Sequence, residues 1–294
     1  MESEKKKQDG MLDLKDVLLE KEGKIAIVTL NRPARFNSYS PEMRSGLARI
    51  FEDIANDQNT GALIITGAGE KAFCVGRDWA APNAPSSPSA VGLGGKHKFT
   101  PAGWIAQWVH ELPQITIAAV NGVAAGGGAG LALACDFRIA SENARFATAF
   151  VTRGLALDTG ISYFLPRLVG LTKALEIGLT GDIIDAKNAE RLGLVSKVVP
   201  AEQLRKTVTE FAQRITKQAP IAVQLIKQEI YKGQSLSLRD ALIYETFCQF
   251  TTSGTEDVAE GVRSFLEKRE PQFTGKFEGI EISFPFSKKN GTGG

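Results

Sequence analysis

Long apolar runs are missing from this chain. No window approaches the about 18 uninterrupted apolar residues that would suggest a membrane-crossing helix. Cysteine is scarce: Cys74, Cys135 and Cys248 show no metal-ligand spacing, and an odd count does not suit a disulfide framework. A reducing cytoplasm fits such a chain. Net charge is almost absent, since 35 basic against 33 acidic residues leave +2. That excludes a nucleic-acid or membrane-surface role driven by bulk charge, though local basic residues can still hold a phosphorylated ligand. There is no Gly-x-x-x-x-Gly-Lys-Ser/Thr and no Gly-x-Gly-x-x-Gly after a first strand, so neither a P-loop nor a dinucleotide fingerprint is present. No fixed-period repeat is visible. No residue cluster suggests a metal, and no redox cofactor is indicated. The opening MESEKKKQDG has no apolar core, so residues 1–11 read as a mobile charged tail and not as a signal peptide.

What is present is ordinary globular composition, 43% hydrophobic over 294 residues, enough for a sizeable core. Val17–Glu20 and Lys24–Leu30 are strand-like and pair across Glu22-Gly23 as a hairpin. Ser40-Pro41-Glu42 is a helix start, and Met43, Leu47, Ile50 and Ile54 follow at helical spacing. Ala62–Thr66 reads as a buried strand and Gly67–Asp78 as a glycine-punctuated loop. Ala80–Thr100, rich in Pro, Ser, Gly and Ala, reads as a long flexible loop. Gly103–Leu112 is a helix with Trp104, Trp108 and Leu112 on one face. From Ile161 the pattern is mostly helical, over Ala201–Lys217, Ile221–Lys232, Ser237–Phe250 and Thr255–Glu270, before a frayed end. Several parallel-sheet units followed by helices indicate an α/β core with a helical C-terminal region.

The stretch Ile115–Ala140 organises the rest. An apolar strand, Ile115–Val120, is broken by Asn121-Gly122, and three consecutive glycines, Gly126, Gly127 and Gly128, precede the helix-friendly Leu131–Ala134. Strand, glycine turn and helix aim backbone N–H groups at an anion, because a chain without Cβ atoms approaches a ligand closely and the first helical turn has unpaired donors. The same glycines also suit a tight turn that packs a helix on a strand, and they alone do not separate the two.

Four motifs in one order resemble the crotonase (enoyl-CoA hydratase/isomerase) superfamily: LNRPARFNS, KAFCVGRDW, AAVNGVAAGGGAGLALACDFRIAS and TEDVAEGVRSFLEKR. The likeness runs from about Val17 to Phe273. It implies a ββα spiral over residues 12–200 that binds acyl-CoA, a helical region over 201–273 forming a trimer interface in a homotrimer or hexamer, and a C-terminal tail over 274–294. The implied substrate is an acyl-CoA thioester, with coenzyme A as part of the substrate and no separate cofactor. Nucleic acid and membrane are not expected partners. Two backbone N–H groups, those of Arg77 and Gly127, are implied to hold the thioester oxygen as negative charge develops on it. For the CoA moiety the resemblance points to Arg35, Phe36, Asp78 and Trp79, with Phe265 and Lys268 reaching a neighbouring subunit's ligand.

The catalytic carboxylates depart from the hydratase pattern. Where those enzymes carry two glutamates, this chain has Gly130 and Phe150. Eight residues beyond Phe150, in GLALDTGISYFLPRLVG, Asp158 matches the proton-moving Asp of dienoyl-CoA and epoxyphenylacetyl-CoA isomerases and the nucleophilic Asp of chlorobenzoyl-CoA dehalogenase. Its apolar neighbours suggest a carboxyl with a raised pKa, suited to taking and returning one proton. A helix cap ahead of Gly160 is the other reading of the same residue. The dehalogenase's His falls at Gly103, and His97 and His110, the chain's two histidines, read as surface residues. Phe150, Trp104 and Trp108 are candidates for an acyl pocket that favours a ring, or simply core. The reading that results is an acyl-CoA isomerase. The alternatives are a hydratase, a hydrolase or dehalogenase using Asp158, and an acyl-CoA-binding protein without turnover.

Overall fold

The computed structural model describes residues 11–79 and 103–277. The segment Ala80–Thr100, most of the expected N-terminal tail and the chain beyond 277 lie outside the described residues. A short strand β1 (Met11–Asp13) pairs antiparallel with β2 (Val17–Glu22), and β2 pairs antiparallel with β3 (Ile25–Leu30), giving the hairpin expected from the sequence. Helix α1 (Pro41–Ala55) starts as read: the Ser40 hydroxyl accepts the Met43 N–H at 2.9 Å, and Pro41 stands where no N–H is needed.

The chain then repeats a three-part turn. Strand β4 (Ala62–Gly67) enters a large sheet, β5 (Ala72–Cys74) enters a small one, and α2 (Trp104–Glu111) closes the turn. The next turn is β6 (Ile115–Val120), β7 (Val123–Ala125) and α3 (Gly127–Ala134). The third is β8 (Phe137–Ser141), β9 (Arg145–Ala147) and α4 (Ile161–Val169). After α5 (Leu171–Thr180), a short β10 (Ile184–Asp185), α6 (Ala186–Arg191) and β11 (Lys197–Val199), the chain is helical through α7 (Leu204–Thr216), α8 (Pro220–Gly233), α9 (Leu238–Ser253) and α10 (Glu256–Glu267). The large sheet runs β1-β2-β3-β4-β6-β8-β11 and the small one β10-β9-β7-β5, parallel except at β1-β2-β3 and β10-β9. This is an α/β spiral with a helical C-terminal region.

Alternation along the strands divides the interior in two. Ala26, Val28, Leu30, Leu63, Ile65, Ala118 and Val120 face the main core with α1, α2 and α3, while Ile25, Ile27, Ile64, Ile117 and Ile139 face a second layer. That second layer is completed by Leu204, Val208 and Ala212 of α7. Strands buried on both faces explain why the sequence shows apolar runs there and no alternation.

Some elements differ from the sequence reading. Part of the glycine-punctuated loop is the strand β5, because Ala72, Phe73 and Cys74 are all buried and pair with β7. Helix α3 begins inside the glycine run, at Gly127, and not after it. The buried side of α2 is Ile105, Ala106 and Val109; of the expected face Leu112 is buried and Trp104 packs partly buried on the main core, while Trp108 is exposed and meets Trp104 edge to face at 5.0 Å. The residues that open the expected C-terminal tail are fastened to α10, where Asp257 accepts the N–H groups of Thr274 (2.7 Å) and Gly275 (3.0 Å).

A buried ion pair fixes the C-terminal helices to the core. Lys227 of α8 lies 2.8 Å from Asp136, and both side chains are 7% exposed. The ammonium also donates to the carbonyls of Leu112 and Gln114, and the carboxylate accepts from Thr116 and from Tyr231 at 2.8 Å, so the pair is hydrogen-bonded on all sides. Lys227→Met strands Asp136 in that site and should cost about 3 kcal/mol or more in denaturant unfolding. A loss below about 1 kcal/mol, the range of an exposed pair, would show that the contact does not hold α8 in place.

Candidate functional site

Two backbone segments meet at the start of α3. Gly126 adopts φ 53° and ψ −127°, a region open to glycine and closed to other residues, and so turns β7 directly into the helix. Gly127 is the first helical residue, and its N–H has no acceptor within the helix and sits at the positive end of the dipole. From the other side comes Gly76, also at positive φ, followed by Arg77. A Cβ built on Gly76 would stand 2.7 Å from the Gly127 nitrogen, so the two candidate donor segments abut. Tyr39 ties them together. Its N–H donates to the Gly76 carbonyl at 2.7 Å, its hydroxyl donates to the Gly127 carbonyl at 3.2 Å, and it bridges to Arg77 in parallel. Burial, then the neighbouring Cys74, hold the Tyr39 phenol well above its ordinary pKa, so it stays a neutral donor.

The turn Asp158-Thr159-Gly160 closes over the same glycines. Thr159 has φ 52°, an unusual left-handed conformation for a β-branched residue, and Gly160 follows at 73°. The twist sends the Thr159 side chain inward, where it is 6% exposed, and its hydroxyl donates to Asp158 Oδ1 at 2.6 Å. A Cβ on Gly127 would meet the Thr159 hydroxyl at 3.2 Å and the Tyr39 ring at 3.3 Å. Asp158 itself is exposed, which corrects the expectation that apolar neighbours bury it: Thr159 takes the inward place instead. Nor does its side chain cap α4. The cap residue is Gly160, without a side-chain bond, and only the Asp158 carbonyl accepts there, from Ile161 N–H.

Neither glutamate position of the hydratase pattern offers a carboxylate. At Gly130 a Cβ would lie 2.5 Å from the Thr159 carbonyl oxygen. Phe150 is 7% exposed and belongs to the main core, its ring tip 4.0 Å from where a Gly126 Cβ would stand. Cys74, between the two donor segments, is a buried thiol pushed up to about 12 by desolvation, and so is not a nucleophile. His110 is not a surface residue as read. It is half-buried against Tyr231, Phe164 and Tyr163, its Nδ1 has no hydrogen-bond partner among the described residues, and burial followed by the Lys227 charge lowers its pKa. His97 lies outside the described residues.

Beside the donor segments stands a cationic corner. Asp78 receives Arg35 twice, from Nη2 at 2.6 Å and Nε at 3.2 Å, and Arg32 at 3.2 Å. Those bonds fix the Arg35 guanidinium, 42% exposed, and the ring of Phe36, the next residue in the chain, is exposed as well. The Arg77 guanidinium lies over the exposed Trp79 ring, 4.5 Å from its centroid. Asp78 thus joins Arg35 to the segment that carries Arg77 and Trp79. Phe265 is exposed and Lys268 ends α10 in a left-handed conformation; among the described residues no hydrogen bond or ion pair joins either to this site. Sequence reasoning missed Tyr39, Thr159 and Arg32. Of these only Thr159 left a signal, since Asp-Thr-Gly marks a tight turn. Among the described residues no group of three or more His, Cys, Asp or Glu could hold a metal ion, and no helix is long and apolar enough to cross a membrane.

The enoyl-CoA hydratase/isomerase family model matches residues 20–276 of this chain. The short-chain-enoyl-CoA hydratase of Clostridium acetobutylicum is 38% identical over 260 residues, 88% of this chain and 97% of the relative. The 1,2-epoxyphenylacetyl-CoA isomerase of Escherichia coli is 37% identical over 254 residues, 86% of this chain and 95% of the relative. A crystal structure of an enoyl-CoA hydratase from Bacillus anthracis superposes with a TM-score of 0.83 at 36% identity, covering 89% of this chain and all of that one, its 100%. Sequence and fold agree, and the chain belongs to the enoyl-CoA hydratase/isomerase family.

Proposed function

We propose that this protein is an acyl-CoA isomerase in which the N–H groups of Arg77 and Gly127 hold the thioester oxygen and Asp158 relays one proton. The carboxylate takes a proton from one carbon of the acyl chain, the electron pair moves toward the thioester as an enolate, and the proton returns at another carbon. Nothing is added and nothing leaves. Fixed donors aimed at the developing oxyanion are each worth roughly 3 kcal/mol, because they need no reorganisation when the charge appears. The cationic corner of Arg35, with Phe36, Asp78 and Trp79, suits a nucleotide diphosphate and its ring. Phe150, with its tip behind Gly126, would back the acyl group. The reaction calls for no cofactor besides the coenzyme A of the substrate.

The observation that carries this reading is the single aspartate. Asp158 accepts from the Thr159 hydroxyl, which packs against Gly127, while Gly130 has no room for a side chain and Phe150 carries no acid. Moving a double bond needs one acid–base group, whereas hydration needs a water activated as well. The E. coli relative named as an isomerase fits this reading, and the relatives named as hydratases keep hydration as the second one.

Exposed apolar side chains on the outer helices, among them Leu171 and Leu179 of α5, Leu238 and Phe250 of α9, and Phe265 of α10, support a homotrimer or hexamer. In such an assembly Phe265 and Lys268 would reach the coenzyme A held by a neighbour. Three unpaired cysteines suit a cytoplasmic setting.

Asp158→Asn should lower turnover by about 10²–10⁴-fold on whichever member of an enoyl-, dienoyl- and aryl-CoA panel the parent isomerises, with binding retained. Unchanged turnover would remove Asp158 from the chemistry, and binding of CoA thioesters without turnover of any member would favour a binding protein. Sedimentation equilibrium should return three or six chain masses of 31.6 kDa, and a monomer at micromolar concentration would contradict the assembly.

A further inference from the structure

The three residues that bring a carboxylate to this site are held by the one between them and its neighbour. Thr159 is 6% exposed and in a left-handed conformation that a β-branched side chain seldom adopts (φ 52°). Packing on three sides over-determines it. Its backbone carbonyl crowds Gly130, its Cα crowds Gly103 (3.2 Å to a Cβ built there), and its hydroxyl faces Gly127. The hydroxyl has one donor hydrogen, and that hydrogen goes to Asp158 Oδ1 at 2.6 Å. A serine could make the same bond. A valine would keep the shape and lose it.

We propose that Thr159 is the positioning residue for Asp158, and that the same inward turn, pressed on Gly130, shuts a second carboxylate out of the site. The proposal rests on the reading of Asp158 as the proton relay. The hydroxyl fixes the rotamer of an otherwise exposed carboxylate, so the acid group is aimed without being buried. As for the space, the carbon that would begin a side chain at residue 130 falls 2.5 Å from the Thr159 carbonyl and 2.7 Å from its Cβ and Cγ2. A glutamate there and this turn are alternative ways of filling one volume. The choice between one acid group and two is therefore made by the backbone of residues 158–160 and not by Gly130 alone.

The test uses the full chain and the panel substrate that the parent turns over, with Asp158→Asn as reference. Thr159→Ser should keep kcat within about twofold. Thr159→Val should lower kcat about tenfold or more. KM should change little in both. Gly130→Ala, by pushing the turn outward, should lower kcat by a similar factor while the thioester still binds. If the valine variant fails to fold, Thr159→Ala is read for the same fall in kcat at unchanged KM. A serine variant as poor as valine, a parental kcat on loss of the hydroxyl, or a Gly130→Ala enzyme with parental kcat overturns the proposal. If Asp158→Asn alone is without effect, the relay reading has failed; if it abolishes turnover while Thr159→Val does not, only the positioning role has.

Discussion

The structure depends on how closely the strand β5 approaches the helix α3. A Cβ built on Gly128 would land on the Cys74 carbonyl, and one on Gly76 would press on the Gly127 nitrogen, so backbone packs on backbone with no side chain between. That contact draws the peptide before Arg77 up to the first turn of a helix. It also requires glycine at position 128 inside the helix, where glycine costs roughly 1 kcal/mol relative to alanine. Tertiary packing overrides propensity here. Around this contact the rest is arranged in layers: Tyr39 fastens the two segments, Thr159 lies over them, and Asp158 stays exposed beside Thr159.

The two ends of α3 are treated differently. At its N-terminus the Gly127 N–H has no acceptor within the helix. Its C-terminus is occupied by the buried guanidinium of Arg138, which donates to the carbonyls of Cys135 at 2.6 Å and Leu133 at 3.3 Å and, beyond the helix, to Leu194 at 2.7 Å. Burial lowers the Arg138 pKa, with Cys135 next in influence and opposing it, yet a guanidinium remains charged under any ordinary condition. The negative end of the dipole is thus complemented by the protein itself. Asp158 is exposed where a desolvated carboxylate was expected.

The sequence showed most of the framework. Ser40-Pro41 announced α1, the apolar runs announced β3, β4 and β6, and the glycine triplet marked the turn that opens α3. Where it failed, the information was tertiary. Trp104 and Trp108 share a helical spacing, but only Trp104 packs on the core; Trp108 is exposed, because α2 turns Ile105, Ala106 and Val109 inward. His110 looks like a polar residue near a helix end, and only the fold surrounds it with three aromatic rings. Asp158 sits among apolar letters and was expected to share their burial, but a left-handed residue directly after it reverses which side chain points inward. No periodicity argument reaches that, since the reversal occurs at one pair of backbone angles.

A crystal structure of the protein with an unreactive acyl-CoA thioester would test the central claim most directly. The account predicts the thioester oxygen within hydrogen-bond distance, about 3 Å, of both the Arg77 and Gly127 nitrogens, with an Asp158 oxygen against a carbon of the acyl chain. A thioester oxygen bound elsewhere, or an Asp158 carboxylate turned away from the acyl chain toward solvent, would contradict it.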